Sequence, residues 1–262
     1  MTVSTTPTQG WQGWDAYAPF YDWENARTVG RRDVRFWVDL AGRVQGSVLE
    51  LGCGTGRLSL PVARASSRFV GVDRSSLMLE KLRIRFKRAR LAGRASIVRG
   101  DIRELPFRKR TRFSLVMAPY GMMQSILKDD DIRATLKGVA AVLPRGGLFG
   151  IDLVPELLRW EEYQRQVSFE GQMESGRHVT LIESVRQDRR RQLTIFDQEF
   201  LERFGERTTR HCFSLVFRTL SVSQLSEHLQ SEGFRIDAVL GDYCGTEWSP
   251  DAEVWIMLAR KC

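Results

Sequence analysis

The segment 48–56, VLELGCGTG, constrains the fold more than any other part of the chain. An apolar run typical of a buried strand contains one acid, Glu50, and leads directly into glycines spaced G-x-G-x-G. Glycines allow a turn with positive φ and let a ligand approach the backbone closely. A dinucleotide loop, G-x-G-x-x-G, would need glycine at position 57, which is Arg57. The loop therefore predicts a ligand site at a strand end, and the acid suits a ligand that bears an amino group.

Short apolar runs alternate with segments of helical periodicity from residue 47 to residue 153. This alternation predicts right-handed β-α-β crossovers, which build a parallel sheet. The expected fold class is α/β: a Rossmann-like, mainly parallel sheet of about seven strands, with helices on both faces. The predicted strands are 47–51, 69–72, 96–98, 113–117, 148–153, 234–240 and 254–259.

Side chains that favour helix starts separate several of these strands. Ser75 or Ser76 is expected to cap the helix after the second strand, and Asp129–Asp131 the helix before the fifth. Ser221 with Gln224 has the spacing of a capping box. We expect helices to begin at these three places.

Residues 167–220 follow a different pattern, in which side chains alternate between two faces every second residue. Leu193 and Ile195 fall on one face, Thr194 and Phe196 on the other. This predicts an antiparallel β insert of three or four strands after the fifth strand, serving as a cap or in oligomerisation. The expected organisation is a flexible tail over 1–14, an N-terminal helical lid over 15–46, a core over 47–160 and 221–262, and the insert over 161–220.

Three further segments accompany the glycine loop at successive strand ends: GVD at 71–73, RGDI at 99–102 and FSLVMAPY at 113–120. With the loop, they resemble the class I S-adenosylmethionine-dependent methyltransferases of the bacterial small-molecule type, over roughly residues 15–153 and 221–260. The resemblance implies S-adenosyl-L-methionine as cofactor. It also implies methyl transfer to an N, O or C nucleophile of a small molecule.

The resemblance assigns cofactor contacts to particular side chains. It places Asp73 on the two ribose hydroxyls and Asp101 on the adenine amino group, with the backbone of Ile102 beside the ring. Arg31 or Arg32 is expected to reach the methionine carboxylate, the alternative being a solvated helix face. The full expected cofactor set is Tyr17, Tyr21, Arg31, Glu50, Gly52, Cys53, Gly54, Gly56, Asp73, Arg74, Met78, Asp101, Ile102, Ala118 and Pro119.

The substrate side is less defined by the motifs. The segment 118–121, APYG, is similar to a turn of bacterial small-molecule methyltransferases, with Gly121 where an Asn is usual. Aromatic residues over 17–21 resemble the segment that closes over the cofactor, or they simply pack on a sheet. No general base is assigned. Tyr21, Tyr120 and His211 are the candidates for a catalytic role. The alternative is that the two tyrosines line the substrate side and that His211 packs or forms a hydrogen bond.

The composition sets the remaining expectations. A hydrophobic content of 42% excludes a disordered chain, and the apolar runs are too short to cross a bilayer. The charge of +8 is spread along the chain, so a nucleic-acid partner is not favoured. Widely spaced cysteines indicate a cytoplasmic protein without a metal site. The alternatives kept open are an RNA or protein methyltransferase and a non-catalytic cofactor-binding protein; a homodimer is a further expectation.

Overall fold

The computed structural model describes residues 13–28, 32–154, 162–252 and 254–262. Its helices are α1 (Trp14–Thr28), α2 (Val34–Arg43), α3 (Ser59–Ala65), α4 (Ser76–Arg88), α5 (Asp129–Val142) and α6 (Val222–Ser231). Its strands are β1 (Ser47–Leu51), β2 (Arg68–Asp73), β3 (Ala95–Arg99), β4 (Leu115–Ala118), β5 (Leu148–Leu153), β6 (Tyr163–Gln172), β7 (His178–Asp188), β8 (Leu193–Phe204), β9 (Arg207–Arg218), β10 (Phe234–Leu240) and β11 (Trp255–Lys261). A single-turn 3-10 helix spans Met122–Ser125.

The chain divides into two compact units. Among the described residues, the first unit consists of 13–28, 124–127 and 162–219, and the second of 32–123, 128–154 and 220–262 without 253. The two helices of the predicted lid belong to different units, because α1 falls in the first unit and α2 in the second. Of the predicted tail, 1–14, the structure describes only Gly13 and Trp14. Helix α1 begins at Trp14.

The second unit contains a seven-stranded sheet in the order β10-β11-β5-β4-β1-β2-β3. All neighbouring strands are parallel except β11, which runs antiparallel to both β5 and β10. The predicted α/β class with a mainly parallel sheet is confirmed. The chain order reverses between β1 and β4, and ligands of such sheets bind at this reversal, outside the carboxyl ends of the strands.

Apolar side chains of α2, α3 and α4 form one core with the sheet. Trp37, Val62 and Leu82 are fully buried members of this cluster, together with Phe69 of β2. Burying a side chain of this size contributes about 1.5–3 kcal/mol each, so the core holds the strand ends in place. Lys261, in the last strand of the sheet, interacts with the end of α5. Its ammonium donates to carbonyls at the last turn of this helix, and the negative end of the helix dipole favours a cation at that position.

All three predicted helix starts are confirmed, and so are two of the three predicted caps. Ser75 caps α4, since its hydroxyl accepts the Met78 N–H at 3.1 Å. Ser221 and Gln224 form the predicted capping box of α6. The prediction for Asp129–Asp131 is wrong in detail, because Lys128 is the N-cap and the three acids occupy the first turn of α5. Their charges still lie at the positive end of the helix dipole.

The first unit contains the four-stranded antiparallel sheet β6-β7-β8-β9. This confirms the predicted antiparallel insert, with four strands. Helix α1 packs on one face of it through aromatic rings: Phe20 stacks on Phe200 with ring centroids 4.4 Å apart, and Tyr17 meets Phe213 edge-on at 5.2 Å. In the described part of the chain, no helix combines the length and apolar character needed to span a membrane.

Candidate active site

The glycine loop between β1 and α3 adopts the backbone conformation that its sequence predicts. Gly52, Gly54 and Gly56 have φ values of 65°, 51° and 92°, all in the region that favours glycine. The loop is attached to the neighbouring strand by the Cys53 N–H, which donates to the Val72 carbonyl at 3.1 Å. The three glycines therefore form a left-handed turn directly at the carboxyl end of β1.

Asp73, at the end of β2, is connected to this loop through its carboxylate. One oxygen accepts the Gly54 N–H and the other accepts the Ser75 N–H, each at 2.8 Å. The carboxylate thus lies between the glycine loop and the start of α4, and it remains half-buried. This position matches a side chain that accepts hydrogen bonds from a ligand held against the loop.

Asp101 follows β3 and forms ion pairs with two arginines. Arg103 donates to it at 2.8 Å and Arg74 at 3.0 Å. Burial by itself would raise the pKa of Asp101, but the hydrogen bonds and charge of Arg103 outweigh burial, so the pKa lies below its ordinary value. Asp101 is therefore an ionised acceptor, one strand along from Asp73.

Glu50 lies inside the unit beneath the glycine loop, with 3% of its surface exposed. Burial raises its pKa to about 8, although a hydrogen bond from the Ser59 hydroxyl and the charge of Arg57 act in the opposite direction. The carboxyl is consequently protonated at neutral pH in the free protein. A ligand that brings a positive charge close to it would favour the ionised form.

A buried ion pair stands next to the loop and was not anticipated from the sequence. Both Arg57 Nη atoms donate to the Asp33 carboxylate at 2.6 Å, and Asp33 is fully buried. The guanidinium carbon also lies 5.1 Å from the centre of the Tyr120 ring. In the sequence, Arg57 only excludes a dinucleotide loop. Its partner Asp33 lies 24 positions earlier in the chain, and no local pattern marks the pairing.

Asp152 of β5 is a further buried acid near the strand ends that was not anticipated from the sequence. Its carboxylate, 1% exposed, accepts the Gly121 N–H at 3.0 Å, the Tyr243 hydroxyl at 2.9 Å and the Trp37 ring N–H at 3.4 Å. Burial raises its pKa to about 6, against the lowering effect of the Gly121 and Tyr243 hydrogen bonds. A single acid inside the apolar run LFGIDL was the available signal, because an unpaired charge is not tolerated in a strand core.

The turn after β4 is shaped by this hydrogen bond. Tyr120 and Gly121 have φ values of 61° and 62°, and a left-handed conformation is costly for a tyrosine. The bond from Gly121 to Asp152 holds the strained pair in place. Glycine at 121, where the related turns carry Asn, thus has a backbone role here.

Residues 48–147 match the family model for the methyltransferase domain. This stretch contains the glycine loop, both strand-end acids and the turn after β4. Residues 48–147 form a methyltransferase domain. The fold of the chain is the class I methyltransferase fold, since solved methyltransferase structures match 94% and 100% of its length.

Three related proteins illustrate the similarity. The cypemycin N-terminal methyltransferase of a Streptomyces species is 28% identical over 232 residues, which cover 86% of this chain and 88% of that protein. The S-adenosylmethionine-dependent methyltransferase from Clostridium acetobutylicum ATCC 824 has a TM-score of 0.78 at 20% identity, covering 94% of this chain and 99% of that one. The sugar N-methyltransferase KedS8 from Streptoalloteichus sp ATCC 53650 has a TM-score of 0.75 at 15% identity, covering 100% and 99%.

The methyltransferase domain brings most of the predicted cofactor residues together at the carboxyl ends of its strands. These residues are Glu50, Gly52, Cys53, Gly54, Gly56, Asp73, Arg74, Met78, Asp101, Ile102, Ala118 and Pro119. The candidate Tyr120 lies in the same unit, whereas Arg31 lies outside the described residues. Their assignment to the cofactor remains a prediction.

The remaining candidates belong to the first unit, away from the methyltransferase domain in the sequence. Tyr17 and Tyr21 lie on α1, with ring centroids 6.2 Å apart. His211 of β9 pairs with Glu202 at 3.3 Å and packs 4.9 Å from Phe20. These contacts give each of the three side chains a packing role within its own unit, and a catalytic role for them stays a prediction.

Proposed function

We propose that this protein transfers the methyl group of S-adenosyl-L-methionine to a small molecule. The observation that carries the proposal is the juxtaposition of the left-handed glycine loop with the carboxylates of Asp73 and Asp101 at neighbouring strand ends. The match of residues 48–147 to the methyltransferase family model supports it.

The chemistry of these side chains fits the cofactor. Asp73 would accept from the ribose hydroxyls and Asp101, ionised beside Arg103, would accept from the adenine amino group. Glu50 would face the cationic amino group of the methionine part, which stabilises a carboxylate that burial otherwise keeps protonated. When bound, the cofactor supplies a methyl group already activated by a sulfonium charge.

With an activated methyl group, the chain has mainly to position the reactants and exclude water. Asp152 contributes by fixing the turn at Tyr120 and Gly121 in one conformation through a buried hydrogen bond. Arg57 contributes by holding its guanidinium over the Tyr120 ring while its charge is neutralised by Asp33. Rigid supports of this kind keep the site within the small tolerance that methyl transfer requires.

We place nitrogen first among the N, O and C acceptor atoms. Two of the related proteins described above are an N-terminal methyltransferase and a sugar N-methyltransferase. We also propose a cytoplasmic location, because all four cysteines are unpaired and three of them are exposed, which suits a reducing compartment. Self-association through the edges of the antiparallel sheet is part of the same proposal.

The test is transfer from methyl-labelled S-adenosylmethionine into an extract separated by size. We expect label in the small-molecule fraction and identification of the product by mass spectrometry, with an N-methyl group in its fragments. Asp73→Ala should lower incorporation, and Asp39→Ala, an exposed acid on α2, is the matched control. Label found only in RNA or protein would refute the small-molecule proposal, and cofactor binding without transfer to any fraction would refute the enzyme.

A further inference from the structure

The first unit contains a buried polar cluster built from α1, β6, β7 and β8. Glu183 and Gln198 stand opposite each other in the register of β7 and β8 and are 9% and 3% exposed. The Gln198 side-chain amide donates to Glu183 at 2.8 Å and to Glu24 of α1 at 2.9 Å. One amide thus bridges two carboxyl groups and uses both of its hydrogens. We call these three residues the carboxylate bridge.

Two hydroxyl groups next to the carboxylate bridge already face Glu183. The Tyr163 hydroxyl donates to Glu183, and the Ser168 hydroxyl lies 3.5 Å from the same carboxyl oxygen. Two acceptor atoms of the bridge, Glu24 Oε2 and Gln198 Oε1, have no hydrogen-bond partner. Among the described residues, the other buried side-chain atoms without a partner are Trp23 Nε1, Asn25 Oδ1 and Thr194 Oγ1. Leaving buried acceptors unpaired costs about 1–3 kcal/mol each, so such atoms normally meet a donor.

The charge of the carboxylate bridge is likewise unbalanced. Within the described part of the chain, neither Glu24 nor Glu183 forms an ion pair with a lysine, arginine or histidine. The guanidinium of Arg27, one turn after Glu24, is instead placed 4.2 Å from the Trp23 ring centre and donates to the Trp23 carbonyl. A group that carries both a positive charge and N–H donors would neutralise the carboxyl groups and pair with the two free acceptors.

We infer that the carboxylate bridge is a binding site for a protonated primary or secondary amine of a small molecule. The ammonium would donate to Glu24 Oε2 and Gln198 Oε1, while Gln198 keeps both carboxyl groups in place. Aromatic side chains next to it, Phe20 stacked on Phe200 and Trp23 beside them, suit the carbon atoms attached to the nitrogen. The inference goes beyond the proposed function, because it concerns binding in the first unit and does not depend on methyl transfer.

Glu24 itself supports this assignment. Burial, together with the nearby Glu183 carboxyl, raises its pKa to about 7, while the hydrogen bond from Gln198 acts in the opposite direction. A bound ammonium would bring that pKa down, so binding above neutral pH meets an ionised carboxylate. A buried water that donates to the same two atoms is the competing explanation, and it carries no charge preference.

The experiment is a titration of the full-length, ¹⁵N-labelled protein at a pH above the pKa of Glu24, observed through the Gln198 side-chain amide signals. Methylammonium chloride is the probe. Tetramethylammonium chloride is the control, because it has the same charge but no N–H donor. We expect a saturable shift with methylammonium and none with tetramethylammonium. Equal responses to both salts, or no saturable shift, would overturn the inference in favour of screening or a buried water.

Glu24→Gln tests which residue carries the site, since it removes the charge and keeps the shape. We expect it to weaken methylammonium binding at least about tenfold, the loss typical of a buried charged hydrogen bond. Glu199→Gln is the matched control, because Glu199 lies on the same strand as Gln198 and pairs with Arg165 and Arg210. Unchanged binding in Glu24→Gln contradicts the inference.

Folding of each variant is checked by its thermal transition. If Glu24→Gln does not fold, Glu183→Gln removes the other charge and carries the same expectation. Affinity for S-adenosylmethionine, measured on the same samples, is expected to stay unchanged. The two proposals can fail separately, because cofactor affinity tests the proposed function and methylammonium affinity tests the amine site.

Discussion

Three acidic side chains of the second unit have different ionisation because of their surroundings. Glu50 and Asp152 are almost fully buried, and burial raises their pKa values to about 8 and about 6. Asp101 is less buried and faces two arginines, so its pKa is lowered. Environment, more than residue type, thus decides which acids are charged when a ligand arrives.

At the scale of single residues, we predict that Asp73→Ala weakens S-adenosylmethionine binding. The substitution removes a carboxylate that also accepts the Gly54 and Ser75 N–H groups, and the expected loss is about 1–3 kcal/mol. Isothermal titration calorimetry measures it. Asp39→Ala, which removes an exposed acid of α2, should leave the affinity unchanged. Equal affinities for wild type and Asp73→Ala would remove Asp73 from the site.

Glu50→Gln leads to a prediction about pH and stability. The pKa of Glu50 in the folded protein, about 8, exceeds its ordinary value of 4.5, so folding favours the protonated form. The contribution of protonated Glu50 to the free energy of unfolding is complete below pH 4.5 and is lost as the pH rises towards 8. Over that window the free energy of unfolding of the wild type should fall more than that of Glu50→Gln, by at most about 3–5 kcal/mol.

Urea denaturation of the ligand-free protein at both ends of the window measures this difference. Glu80→Gln, an exposed glutamate of α4, is the control and should follow the wild type. Parallel pH profiles for wild type and Glu50→Gln would mean that Glu50 titrates normally in the folded chain.

At the scale of elements, the loop after β1 depends on glycine for its conformation. At Gly52, φ is 65° and a Cβ atom would fall 2.5 Å from Cγ of Met122. We therefore predict that Gly52→Ala costs about 1–2 kcal/mol of stability and weakens cofactor binding. Gly42→Ala is the control, since Gly42 lies exposed in α2 with open space around it. It should gain about 0.5–1 kcal/mol.

Denaturant unfolding and calorimetry on both variants decide this prediction. A Gly52→Ala variant as stable as Gly42→Ala, with unchanged cofactor affinity, would show that the loop does not need glycine there. The helix caps behave similarly as local features: Ser75 and the Ser221–Gln224 pair act within four residues of themselves. Local features of this kind were recognisable in the sequence.

At the scale of the whole molecule, the net charge of +8 bears on whether RNA is the methyl acceptor. Many arginines are engaged by acids of the same chain, as Arg57, Arg74 and Arg103 are, which leaves fewer for phosphates. We predict that methyl transfer changes less than about threefold between roughly 50 and 200 mM salt. A fall of about 10³-fold or more, together with methylated RNA, would contradict a small-molecule acceptor.

Periodicity, glycine spacing and capping residues were enough to predict the α/β class, the mainly parallel sheet, the antiparallel insert and the loop at 52–56. Each of these leaves a signature in residues close together in the chain, so the sequence by itself determined them. The acids at the ends of β2 and β3 could be placed for the same reason, because strand ends in a parallel sheet share one edge.

Only the tertiary structure decided which distant side chains meet. Asp152 joins Gly121, Tyr243 and Trp37, which lie 31, 91 and 115 residues away, and Gln198 reaches Glu24 across 174 residues. Nothing local marks such partners, because each contact forms only when separate elements pack together and water is removed from between them. The same packing sets the burial that raises the pKa values of Glu50, Asp152 and Glu24, and therefore the electrostatics on which binding depends.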